Sequence, residues 1–175
     1  VEPFLDAAVA DAGVASLRVR SGDVFTGATG AGVIVGIVDS GVDPTHADFK
    51  KPDGTTRILR YWDQGSSVGT PPEIVPGQPL YGTEWMASHI NNGSIQSTDL
   101  VGHGTHVAGI IASVMDAAAQ NPGLRLLVVR VLDASGQGSM SGSSQGIDYA
   151  VSLGARILNA SFAGVDGEAL MMSMR

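Results

Sequence analysis

His103 stands between two glycines in Leu100-Val101-Gly102-His103-Gly104-Thr105-His106-Val107-Ala108-Gly109, where a small, polar stretch passes into an apolar one. An imidazole can move protons near neutral pH, and glycine neighbours let another backbone or a substrate come close to it. A carboxylate partner for this histidine is Asp39, which ends the run Gly32-Val33-Ile34-Val35-Gly36-Ile37-Val38-Asp39 and precedes Ser40-Gly41.

Both residues need elements to hold them. Val107, Ile110, Ile111, Val114 and Met115 recur at i, i+3, i+4, i+7 and i+8, so the spacing predicts a helix from near His103 with this face buried. The β-branched run before Asp39 reads as a strand buried on both faces, as in a parallel sheet covered by helices. Asp39 then lies at the strand's carboxyl end, the edge where open α/β sheets do their chemistry. Further strands are predicted at Arg57–Asp63, Leu124–Leu132 and Arg156–Phe162. Ser143 or Ser144 can cap a helix carrying Ile147, Ala150 and Val151 and closed by Gly154. Strands alternating with helices predict parallel βαβ units with right-handed crossovers. Residues 64–99 read as a long irregular excursion with Pro71-Pro72 and Pro76-Gly77, anchored by Trp85, Met86 and Ile90. Near the start, the alanine-rich Pro3–Ala10 predicts a short helix.

Other patterns compete less well. His103 and His106 form H-x-x-H without the glutamate base of H-E-x-x-H, so a metallohydrolase is a weaker alternative and His106 reads as a helix-packed residue. His46 and His89 fall in loops without an identifiable partner. The glycine-rich segment 27–32 precedes a strand instead of joining a strand to a helix, which is the wrong context for a phosphate loop. Gly142-Ser143-Ser144-Gln145-Gly146 satisfies G-x-S-x-G, but a nucleophile elbow precedes its acid and histidine in the chain, and here both candidates lie upstream.

Composition bounds the rest. With 43% hydrophobic and 15% charged residues among 175, one domain with a substantial core is expected. The net charge of −7 argues against a nucleic-acid surface, and no polybasic or long apolar stretch argues for membrane binding. The absence of cysteine excludes disulfide and thiol chemistry within these residues.

The segments Asp39-Ser40-Gly41-Val42-Asp43 and Gly102–Gly109 resemble the aspartate and histidine motifs of the subtilisin-like serine proteases, in that family's chain order. Val128–Gly138 is similar to the family strand and loop that line one side of a bound peptide. Ile157–Gly164 resembles the segment lining the other side and walling the main specificity pocket. The likeness covers roughly residues 25–165. It implies a three-layer α/β/α fold with a mainly parallel sheet, and peptide-bond hydrolysis through an Asp-His-Ser triad. In that mechanism His103 would be the general base and Asp39 its orienting partner. An extended peptide or protein substrate would pair with the backbone at Gly136, Gly138, Ser161, Phe162 and Ala163, and Phe162 and Met140 would add apolar contacts. No cofactor would be required. Asp48 matches a calcium-ligating aspartate of the family, but a hard cation wants six or more oxygens and enough partners are not recognisable.

No G-T-S-M-A-like serine segment occurs in the 175 residues, nor an A-A-G-N-like oxyanion segment; Asn159 belongs to the substrate strand. The expectation is therefore an N-terminal portion of a catalytic domain. Residues 1–24 would be a packing arm or propeptide junction, and 25–175 a partial catalytic domain with an insertion at about 64–99. Alone it would be inactive, and would pair with the missing C-terminal half or self-associate. The alternative is a non-catalytic peptide-binding or regulatory module on the same scaffold. The resemblance implies a secreted or cell-surface location, although no signal-like segment occurs in these residues.

Overall fold

The apolar runs of the sequence become the buried strands of one sheet. The structure, a computed structural model, describes residues 20–21, 24–25, 32–73, 81–116 and 123–162. Strands β1 (Arg20–Ser21) and β2 (Val24–Phe25) form a small antiparallel ribbon. The main sheet comprises β3 (Ile34–Asp39), β4 (Ile58–Asp63), β5 (Thr83–Met86), β6 (Arg125–Arg130) and β7 (Ile157–Asn159). Helices α1 (Ala87–Asn91), α2 (His103–Asp116) and α3 (Met140–Ser152) join them, with a 3-10 turn at Ala47–Phe49.

The spatial order is β5-β4-β6-β3-β7. β4, β6, β3 and β7 run parallel, and the edge strand β5 alone pairs antiparallel, to β4. Strands buried on both faces need helices on both, and the core divides accordingly. Val35, Ile37, Tyr61, Leu126 and Val128 pack with Ala108 and Ala112 of α2. On the opposite side, Val38, Trp62 and Val129 pack with Ile147 and Tyr149 of α3, and Leu127 with Ala150. The result is the three-layer α/β/α arrangement with a mainly parallel sheet.

Several expectations are corrected. Helix α2 starts at His103 as the spacing predicts, but its most buried positions are Gly104, Ala108 and Ala112, while Ile110 is 52% exposed. Ile111 packs at the margin of the core; the side chains of Val114 and Met115 lie outside the described residues. Small residues win this face because the helix backbone approaches the sheet so closely that a Cβ on Gly104 would overlap the Gly41 carbonyl oxygen. Helix α3 is capped by Ser139, which accepts from the Gly142 N–H at 2.9 Å, and not by Ser143 or Ser144. Ser143 lies in the first turn and donates its hydroxyl to the Ser139 carbonyl at 3.1 Å, while Val151 is exposed. The excursion at 64–99 contains β5 and α1, too short to show a period; Trp85 is buried and Ile90 packs on the core. His89 has partners after all: its Nδ1 accepts from the Met86 N–H at 3.0 Å and its ring stands edge-on to Trp85. The predicted helix at Pro3–Ala10 and most of the glycine-rich segment at 27–32 lie outside the described residues.

Candidate active site

Asp39 is the last residue of β3 and is fully buried. Its Oδ1 accepts from the Ser40 N–H at 2.7 Å and lies 2.8 Å from Nδ1 of His103, the first residue of α2. An ionised carboxylate only accepts, so a neutral ring in this geometry donates from Nδ1–H and carries its lone pair on Nε2. The His103 side chain is 45% exposed, so that lone pair belongs to a ring open to solvent. Asp39 Oδ2 is buried without a hydrogen-bond partner among the described residues.

The turn after Asp39 is shaped by glycine and a buried phenol. Gly41 has φ +95°, and a Cβ there would overlap the Tyr61 hydroxyl. That hydroxyl accepts from the Val42 N–H at 3.2 Å and faces the Val42 carbonyl at 3.4 Å. Burial pushes the Tyr61 phenol up to about 12, against the opposing pull of its hydrogen bonds with Ser97 and Val42. The histidine end is held by a residue that the motifs leave out, Asp99. Its Oδ1 accepts from the Ser40 hydroxyl at 2.9 Å, the Val101 N–H at 3.1 Å and the Gly102 N–H at 2.9 Å. Its Oδ2 accepts from the Thr105 N–H at 2.8 Å and the Thr105 hydroxyl at 2.7 Å. Partial burial opposes the Asp99 charge, yet the hydrogen bonds from Thr105, Gly102 and Ser40 outweigh it and hold the carboxyl below its ordinary value. The available signal was an acid just ahead of a helix start, where orphan N–H groups need an acceptor.

Strand order decides what surrounds the pair. β6 and β7 flank β3, with Asp39 opposite Arg130 and Ile37 opposite Asn159. The two segments expected to hold a peptide therefore leave the sheet on either side of Asp39. Gly136 (φ +76°) and Gly138 lie exposed in the loop after β6. This loop closes on Asp133, whose Oδ1 accepts from the Ser135 N–H, the Ser135 hydroxyl and the Gln137 N–H. Beyond β7, Ser161 is exposed and donates to Asn159 Oδ1 at 2.7 Å, and Phe162 packs at the margin of the core. Ala163 lies outside the described residues. A cleft of about 540 Å³ adjoins the loop after β6, lined by Gln64, Arg130, Leu132, Ser139 and Gln145.

The other histidines do not join this site. His46 Nδ1 lies 3.6 Å from Asp48 Oδ2, and His106 is exposed, not packed against the core. Among the described residues no three His, Asp or Glu side chains converge as a metal site. Among those residues, too, no helix is long and apolar enough to cross a membrane.

Residues 30–171 match the Subtilase family. The chain is 30% identical over 154 residues to thermitase of Thermoactinomyces vulgaris, covering 86% of the chain and 44% of that relative. It is 33% identical over 148 residues to alkaline elastase YaB of a Bacillus species, covering 83% of the chain and 30% of that protein. Among solved structures, the CspB protease of Clostridium perfringens shares the fold with a TM-score of 0.58 at 24% identity, over 80% of this chain and 30% of that one. The chain thus spans less than half the length of these relatives.

Proposed function

The chain belongs to the subtilase family, and from that premise we propose that it carries the acid–base part of a serine endopeptidase, with His103 as general base and Asp39 as its orienting partner. The observation that carries this reading is the 2.8 Å contact between His103 Nδ1 and the buried Asp39 carboxylate, with the far side of the ring open.

The nucleophile would be a serine outside these 175 residues. Its oxygen bonds to the scissile carbonyl carbon while its proton passes to His103 Nε2; Asp39 stays ionised and stabilises the imidazolium. His103 then gives the proton to the leaving nitrogen as the C–N bond breaks. Water hydrolyses the acyl-serine with His103 again as base. The peptide would lie extended between Gly136–Gly138 and Ser161–Ala163, held by main-chain pairing. Placement of both segments beside Asp39 by the β6-β3-β7 order supports that role. No cofactor enters the scheme, and the location that goes with it is secreted or cell-surface. Without the serine, the 175 residues alone are expected to be inactive.

The test mixes this chain with a separately expressed C-terminal half containing the serine segment, and assays a casein-type substrate and a serine-directed phosphonate. Asp39→Ala or His103→Ala is expected to lower the reconstituted rate by several orders of magnitude. A well-folded complex that neither cleaves nor reacts would overturn the protease reading in favour of a non-catalytic peptide-binding module.

A further inference from the structure

Asp39 sits on the sheet and His103 on a helix, so their contact is only as well defined as the seam between the two elements. Orienting an imidazole needs placement to within about half an ångström. The polar part of that seam consists of two hydroxyls arranged reciprocally. Ser40, on the turn, accepts the Gly104 N–H of the helix at 3.0 Å. Thr105, on the helix, accepts the Asp43 N–H of the turn at 2.9 Å. Each hydroxyl has one proton, and both protons go to Asp99. The Ser40 N–H is at the same time donated to Asp39 Oδ1. One residue therefore links the two carboxylates.

We propose that Asp99 is a positioning residue for the Asp39–His103 pair, acting through Ser40 to hold the turn that carries Asp39 against the first turn of the helix that carries His103. The inference rests on the reading of Asp39 and His103 as an orienting pair. A hydroxyl with a fixed acceptor has its lone pairs fixed as well, so Asp99 determines where Ser40 can receive the Gly104 N–H. Losing that acceptor frees the Ser40 hydroxyl to rotate, loosens the seam, and lets the imidazole leave the geometry in which Nδ1–H faces Asp39.

A simple helix cap predicts something different. Asp99 would then matter through Val101, Gly102 and Thr105 only, and Ser40 would be dispensable. The measurement is the tautomer of His103, read from the ¹⁵N shifts of both ring nitrogens through the non-exchanging ring protons, above the pH at which the ring is charged. In the unaltered chain the Nδ1–H form is expected to dominate. Asp99→Asn and Ser40→Ala are each expected to shift the tautomer ratio several-fold toward Nε2–H, and Ser40→Thr, which keeps the hydroxyl, is expected to retain the original ratio. Ser40→Ala leaves the Asp99 bonds to Val101, Gly102 and Thr105 available, so it decides the matter even if Asp99→Asn does not fold. An unchanged ratio in folded Ser40→Ala overturns the positioning role and leaves the protease reading intact. No Nδ1–H preference in the unaltered chain overturns the orienting pair, and the positioning role with it.

Discussion

The narrowest steric constraint in the site falls on Gly104, where any side chain would run into the Gly41 carbonyl and crowd Asp39 Cβ. Gly104→Ala is expected to push α2 off the turn and destabilise the chain by about 1–3 kcal/mol, the usual range for overpacking, seen as a lower denaturant midpoint. Two titrations bear on the same region. Asp99 is held below its ordinary value of 3.8, so its hydrogen bonds contribute stability that is complete above that pH and lost as pH falls through the lower folded value. Asp99→Asn should therefore flatten the acid limb of a stability-versus-pH curve. Tyr61 behaves in the opposite sense: its raised value, about 12, gives a contribution that is complete below pH 10 and lost as pH rises through about 12. Tyr149 is raised further still, by burial and the Glu84 carboxylate beside it, so a phenolate absorbance titration should show more than one tyrosine ionising late, and Tyr61→Phe should remove one phenolate from that late amplitude.

Helix α2 meets the sheet through its small residues. The burial of Ala108 and Ala112, with Ile110 half exposed, predicts an inversion of the ordinary hydrophobic ranking on this helix. Ala108→Leu should destabilise by about 1–3 kcal/mol, because no space exists for the larger side chain, whereas Ile110→Ser should stay within about 0.5 kcal/mol. Equal losses at both positions in urea unfolding would mean that the helix is rotated from the orientation described. Close approach here brings the helix N-terminus to the end of β3, so packing and site geometry are one feature.

The order β5-β4-β6-β3-β7 sets Asp39 between two loop-bearing strands, and leaves β7 without a further strand partner among the described residues. Ile157, on that strand, is 53% exposed. Unpaired parallel edges recruit other chain. On the proposed reading the rest of the catalytic domain would occupy this edge, and in its absence a second copy is expected to. Sedimentation of the 175-residue chain should show concentration-dependent association that Ile157→Lys weakens and the added C-terminal half suppresses.

Much of this was present in local patterns. The β-branched run ending at Asp39, the start of α2 at His103 and the strand-helix alternation follow from the side chains each segment must bury, and those needs are written within a dozen residues. Spacing could not show which face of α2 goes inward, because close approach selects for the absence of side-chain volume and hydrophobic periodicity counts only its presence. Nor could it show that Ser139 is the cap of α3, since several serines stand close together there, or that Thr83–Met86 forms a strand, since four residues carry no readable period. The seam at Ser40, Asp99 and Thr105 was hidden for another reason. Ser40 and Asp99 are 59 residues apart, and Asp39 and His103 are 64 apart. Local pattern marks Asp39 and His103 as groups able to hold or move a proton, and marks the strand and helix that carry them. How they meet is a property of the fold, because a hydrogen bond depends on tenths of an ångström between distant segments, set by packing that no local pattern records.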